Sequence, residues 1–179
     1  NQDISNWDVS KVESMQQLFE QTPFNKNIGS WVTDSLVNAR AIFAESPFDQ
    51  DISSWNMSNV TNMRLLFFDC LFNQDISGWN TGSVQNMGGI FAQAPNFNQD
   101  ISNWDMSSVN TFDGSFSSTQ FANGATSWDA AKIDNMLTAW SVGNAAAKQI
   151  DASNFSAANA LIEFSPNGSL TQANVDDMC

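Results

Sequence analysis

The chain has no histidine and no tyrosine, and among its 179 residues only four prolines, two cysteines and six basic side chains. Without histidine there is no Ser-His or Cys-His pair for nucleophilic catalysis, and neither a G-x-S-x-G elbow nor a phosphate-binding loop is present. Paired carboxylates could serve a glycosidase, but each one here belongs to the repeat described below or falls on the expected surface, so the sequence reads as non-catalytic. The six cations face 19 Asp and Glu, a formal charge of -13. That balance argues against nucleic acid and against anionic membrane surfaces as partners. Cys70 and Cys179 are too few for a disulfide framework and lack metal-ligand spacing. No apolar run approaches the roughly 18 residues of a transmembrane segment.

What is abundant is large and apolar: 42% of the residues are hydrophobic, including 14 Phe and 7 Trp. Trp7, Trp31, Trp55, Trp79, Trp104 and Trp128 recur at intervals of 24, 24, 24, 25 and 24 residues. Three residues before each stands Ile4, Ile28, Ile52, Ile76, Ile101 or Ala125. Five after it comes Val12, Leu36, Val60, Val84, Val109 or Ile133, and twelve after it Phe19, Phe43, Phe67, Phe91, Phe116 or Trp140. A fixed period of this length means units that cannot bury an apolar face alone and must stack. The six tryptophans are therefore expected as a structural core ladder. The one extra residue falls in AQAPNF, beside Pro95, as a loop that leaves the register intact.

Within a unit the spacing changes. Trp55 and Met57 alternate with polar neighbours as in a short strand, whereas Val60, Met63, Leu66 and Phe67 follow steps of three or four as on a helix face. The expectation is an α/β, leucine-rich-repeat-like solenoid of about six 24-residue units, each a short parallel strand plus a short helix or 3-10 segment. It would occupy residues 1–141, with a helical C-terminal cap at 142–179. The first unit lacks a cap, so further solenoid or another chain is expected against the N-terminal end.

The segments FDQDISSWNMSNVTNM (48–63) and FNQDISNWDMSSVNTF (97–112) resemble the unit of the BspA-like surface proteins, the DUF285 family typified by FNQDISNWDVSNVTNM. The likeness covers residues 1 to about 141. It implies a leucine-rich-repeat-like architecture, an extracellular or cell-surface setting and an adhesion or protein-interaction role, with no catalytic residues to carry over. The second unit, with Lys26, Asn27, Ala39 and Arg40, and the sixth, with Gly124 and Ala125, depart from the pattern.

Two polar features invite a functional reading. Asp3, Asn27, Asp51, Asp75 and Asp100 form a ladder that could cap turns by accepting backbone N–H groups; alternatively, Asp51, Asp75 and Asp100 could hold calcium. The exposed departures Lys26, Arg40, Arg64 and the 92–96 loop are where specificity for a protein or glycan partner would reside. The leading expectation is a non-catalytic binding module, a fragment of a longer surface or secreted protein. The second is an architectural subunit of a larger assembly. Cys70 is expected as a small buried residue.

Overall fold

The structure, a computed structural model, describes residues 1–110. Within them the chain winds into stacked coils, 1–23, 24–47, 48–71, 72–96 and the part of a fifth from 97, the last four each opened by a phenylalanine. Parallel bridges Ser14 to Asn38, Asn38 to Asn62 and Asn62 to Asn86 set consecutive coils one repeat apart.

The most regular part of each coil follows its bridge. The N–H groups of Met15, Gln17, Phe19 and Gln21 donate to the carbonyls of Asn38, Arg40, Ile42 and Ala44, at 2.9–3.0 Å. Ala39, Ala41, Phe43 and Glu45 repeat this toward Asn62, Arg64, Leu66 and Phe68, as do Met63, Leu65, Phe67 and Asp69 toward Asn86, Gly88, Ile90 and Ala92. The alternate N–H groups close turns inside the coil, as in Leu18 to the Met15 carbonyl and Thr22 to that of Phe19. Between them the two patterns leave few backbone donors unpaired, which a structure this thin requires.

Such alternation needs a backbone that helices and strands do not have. Gln17, Ala41, Leu65 and Gly89 have φ between 54° and 64°, and Gln21, Glu45, Asp69 and Gln93 between 45° and 58°. A positive φ at the third residue of an i to i+3 turn is the type II pattern, costly for residues other than glycine. Seven of these eight residues are not glycine. Their strain is offset by the inter-coil bonds that each turn makes possible.

The expected α/β solenoid is thus corrected. Among the described residues there is no helix, and the strand-type pairing consists of isolated bridges. The three- and four-residue steps that suggested a helix at 60–67 arise because chained turns also bring a side chain back inward at that interval. Met63, Leu66, Phe67 and Cys70 are all buried without one. The alternation at 55–57 comes from two successive turns, Trp55 N–H to the Ile52 carbonyl and Val60 N–H to that of Met57. Strand-like pairing falls instead on the Asn62 row. The boundary at 141, the sixth unit and the helical cap lie outside the described residues.

The core is a set of ladders. Phe19, Phe43, Phe67 and Phe91 stack at centroid separations of 5.7–5.8 Å, and Phe24, Phe48 and Phe72 at 6.3 Å. Within a coil the two series meet face to face, as in Phe43 with Phe48 at 3.9 Å. Trp31 stacks on Trp55, and Trp79 on Trp104, both at 6.1 Å. The indoles also bond: Trp31, Trp55, Trp79 and Trp104 Nε1–H donate to the carbonyls of Ile4, Ile28, Ile52 and Ile76 at 3.0–3.3 Å. The inserted residue is taken up by an additional turn, Phe97 N–H to the Ala94 carbonyl, and Phe91 still meets Phe97 at 3.7 Å.

Close approach fixes one glycine. A Cβ on Gly29 would lie 2.5 Å from the Asp51 carbonyl oxygen, a backbone atom with no freedom to withdraw.

Trp55 contributes both a buried ring and an inter-coil bond, so Trp55→Ala is expected to cost about 3–5 kcal/mol. Urea titration of the variant and parent measures it, and a loss below about 1 kcal/mol would contradict the buried ladder.

Candidate functional site

Turn corners recur at three places in the repeat, most of them closed by an Asx side chain that accepts the N–H two residues on. Asp3, Asn27, Asp51, Asp75 and Asp100 take those of Ser5, Gly29, Ser53, Ser77 and Ser102, at 2.9–3.0 Å. Asp8, Asn56, Asn80 and Asp105 do the same for Ser10, Ser58, Gly82 and Ser107, and Asn38, Asn62 and Asn86 for Arg40, Arg64 and Gly88. These bonds satisfy donors that tight corners leave without a backbone partner.

The same bonds set the acidity of the carboxylates. The Ser53 N–H holds Asp51 below its ordinary pKa, with help from the Ser53 side chain, and Ser77 does the same for Asp75. Partial desolvation and the neighbouring Asp51 charge push Asp75 the other way. Asp51, Asp75 and Asp100 each have one oxygen engaged in a turn, and among the described residues no three or more Cys, Asp or Glu converge as a metal centre needs. The arrangement is that of a cap, and Asn27 makes the same bond without a charge.

An inner row beside these aspartates ties coil to coil. Asn25 Oδ1 accepts the Asp49 N–H and the Gln50 amide at 3.1 and 2.9 Å. Asp49 serves Asn73 and Gln74 in the same way, and Asn73 serves Asn98 and Gln99. Asn98 Oδ1 continues the row, buried and with no hydrogen-bond partner among the described residues.

The basic residues separate into two places. Lys26 lines an open cleft of about 450 Å³ with Asp3, Ser5, Asn27 and Ser30. There the Ser5 N–H, chiefly, and Lys26, to a lesser extent, hold the Asp3 carboxyl below its usual range. Arg40 and Arg64 occupy equivalent places in successive coils, each directly after its bridge and with its N–H on Asn38 or Asn62. Arg40 is half-buried and Arg64 exposed, and among the described residues neither guanidinium has a carboxylate partner. In the next coil their row becomes Gly88, and the neighbouring Leu65 side chain lies against Gly89, 2.7 Å from where a Cβ would stand. The arginine row therefore ends on a glycine shelf.

Of the tryptophan ladder, Trp31, Trp55, Trp79 and Trp104 are buried, whereas Trp7 is 57% exposed and Trp128 lies outside the described residues. Exposed apolar residues not singled out from the sequence are Leu18, Val32, Val37 and Leu71. Val32 carried a signal, since its row otherwise reads Asp8, Asn56, Asn80 and Asp105. Cys70 is fully buried, with its thiol 3.3 Å from the Phe48 carbonyl and 3.8 Å from Ser46 Oγ. Burial pushes that thiol up to about 11.

Stacked 24-residue coils closed by Asx turns define a repeat protein whose repeated residues serve its own architecture. The family model described as "Mycoplasma protein of unknown function, DUF285" matches residues 1–71 and 46–155, and the chain belongs to that family. Comparison with curated proteins and with solved structures gave no match.

Carboxylates acidified by native hydrogen bonds stabilise the fold at neutral pH, and their contribution is lost as the pH falls below about 4 and through their folded pKa values. Asp51→Asn with Asp75→Asn keeps the caps and removes the charge. Melting across pH 3–7 should show a neutral-pH stability within about 0.5 kcal/mol of the parent and a shallower acid slope. Added millimolar calcium should leave both melting curves in place.

A thiol of this kind reacts only when the protein opens. In a Cys179→Ser background, thiol-reactive dye at pH 8 should label Cys70 at the unfolding rate, independent of dye concentration. Fast, concentration-dependent labelling would contradict the buried assignment.

Proposed function

We propose that the chain is a non-catalytic binding module of the BspA-like kind, presented on a cell surface or secreted, that takes a protein or glycan partner through the outer face of its coils. The observation that carries this reading is the arginine row. In a chain of charge -13, two guanidiniums stand one coil apart without carboxylate partners among the described residues. Unpaired guanidiniums at a regular spacing suit an acidic group on the partner, since each offers a planar fork of donors to a carboxylate or sulfate. The residues that repeat are used by turns and ladders, so recognition falls to those that do not repeat. The acidity of the whole chain argues against nucleic acid.

An architectural role in a larger assembly is the second reading. The apolar residues Val32 and Leu71, exposed in later coils, favour it.

An array of carboxylated and sulfated glycans, followed by calorimetry on the strongest binder, tests the first reading. Arg40→Ala with Arg64→Ala should weaken binding at least about tenfold, the loss of two charge-assisted contacts, and leave the melting temperature within about 1 °C. Equal binding by the double variant would overturn the assignment of this face.

A further inference from the structure

The flank that carries the arginine row departs from the repeat in the third coil. One row of this flank reads Gln17, Ala41, Leu65 and Gly89, and another reads Glu20, Ala44, Phe68 and Ala92. The third coil thus places leucine and phenylalanine where the coils on either side have alanine or glycine. Leu65 and Phe68 bracket a single turn, in which the Phe68 N–H donates to the Leu65 carbonyl at 3.2 Å. Both stay partly open to solvent, whereas Ala41, Ala44, Gly89 and Ala92 are buried. Leu65 leans onto the fourth coil, its Cδ2 2.7 Å from where a Cβ on Gly89 would stand. The result is an apolar ridge between two low floors. Neither ridge residue belongs to the core, which Met63, Leu66 and Phe67 fill from the same coil.

Charge is sorted along this ridge. At one end Arg64 precedes Leu65, with Arg40 one coil before it; at the other Asp69 follows Phe68, with Glu45 one coil before it. Arg64, Glu45 and Asp69 are exposed and Arg40 is half-buried. Glu45 accepts the Gln21 amide at 3.0 Å, but among the described residues neither acid has a cationic partner, just as neither guanidinium has a carboxylate. The acids stand five positions after the arginines in their own coils, too far along the chain to neutralise them. In the first and fourth coils the same rows hold Gln16 and Gly88, Gln21 and Gln93. Both the charges and the ridge are therefore confined to the second and third coils.

We propose that this ridge docks a protein segment that presents, in order, a carboxylate, large apolar side chains and a basic side chain. The carboxylate meets Arg40 and Arg64, the apolar groups lie on the floors beside Leu65 and Phe68, and the basic group meets Glu45 and Asp69. The inference rests on the arginine-row reading above and narrows its partner from protein or glycan to protein. A sulfated glycan satisfies the arginines, but its next charges along the ridge meet Glu45 and Asp69, and like charges brought together cost affinity. An arginine beside an exposed aromatic, with charged groups at the rim, is the composition of a protein–protein hot spot. Rims of opposite sign also fix the direction in which the segment lies.

In the test, the full chain selects from a phage-displayed library of random linear peptides, and enriched peptides are synthesised and titrated by fluorescence anisotropy beside a sulfated oligosaccharide. Enriched peptides are expected to carry an acidic end, an apolar middle and a basic end. Two variants copy what other coils already hold in the same rows: Phe68→Ala follows Ala44 and Ala92, and Glu45→Gln with Asp69→Gln follows Gln21 and Gln93, which share the positive φ. Each should therefore melt within about 2 °C of the parent. Phe68→Ala should weaken peptide binding at least about tenfold, and the double acid variant at least about threefold. Peptide binding that needs Arg40 and Arg64 but is unmoved by either variant overturns this inference alone. A parent that enriches no peptide also overturns it; if that parent holds the oligosaccharide through its arginines, the arginine-row reading stands. Peptide binding that Arg40→Ala with Arg64→Ala leaves unchanged overturns the arginine-row reading and this inference with it.

Discussion

The row of backbone hydrogen bonds from alternate residues to the carbonyls 23 positions on holds this protein together, and the other features follow from keeping that row in register. To aim alternate N–H groups at the next coil, the chain must turn at short intervals and accept positive φ at residues such as Gln17, Ala41 and Leu65. That backbone cannot stand alone. It is stabilised only where another coil receives the donors, so folding of one coil depends on its neighbour, as in other quasi-one-dimensional proteins.

The side chains serve the same register from two directions. From inside, phenylalanine and tryptophan fill the coil and stack on their counterparts in the next, and the indole N–H groups of Trp31, Trp55, Trp79 and Trp104 add bonds to the preceding coil. From outside, Asp and Asn close the corners. This explains a composition rich in Asn, Asp, Phe and Trp but poor in glycine: the turns are secured by side-chain caps and neighbouring coils more than by backbone freedom.

The period, the ladders and the turn-capping alternative for Asp51 and Asp75 were legible from the sequence because spacing alone carries them. The local conformation was not. Steps of three and four between Val60, Met63, Leu66 and Phe67 are shared by a helix and by chained turns, and periodicity cannot separate the two when positive φ falls on Leu65 or Ala41 in place of glycine. The burial of Trp31 depends on the coil packed before it, whose Ile4 carbonyl takes its indole N–H, and a residue type cannot encode that. Of the basic residues, the sequence marked Lys26, Arg40 and Arg64 as departures. That the two arginines share a row follows from the 24-residue step between them, whereas the pairing of Lys26 with the Asp3 cleft needed coordinates.

The one-way aim of the N–H groups along residues 15–21, 39–45 and 63–69 has an electrical consequence. In an ordinary parallel sheet successive peptide dipoles largely cancel, but here those that bridge the coils point the same way and add, as they do along a helix. This flank of the stack is polarised along its long axis, with the negative pole at the carbonyls of Ser14, Gln16, Leu18 and Glu20 and its strength growing with each coil added. Beyond its hydrogen bonds and its apolar rings, each coil therefore carries a field directed along the stack, negative toward lower residue numbers.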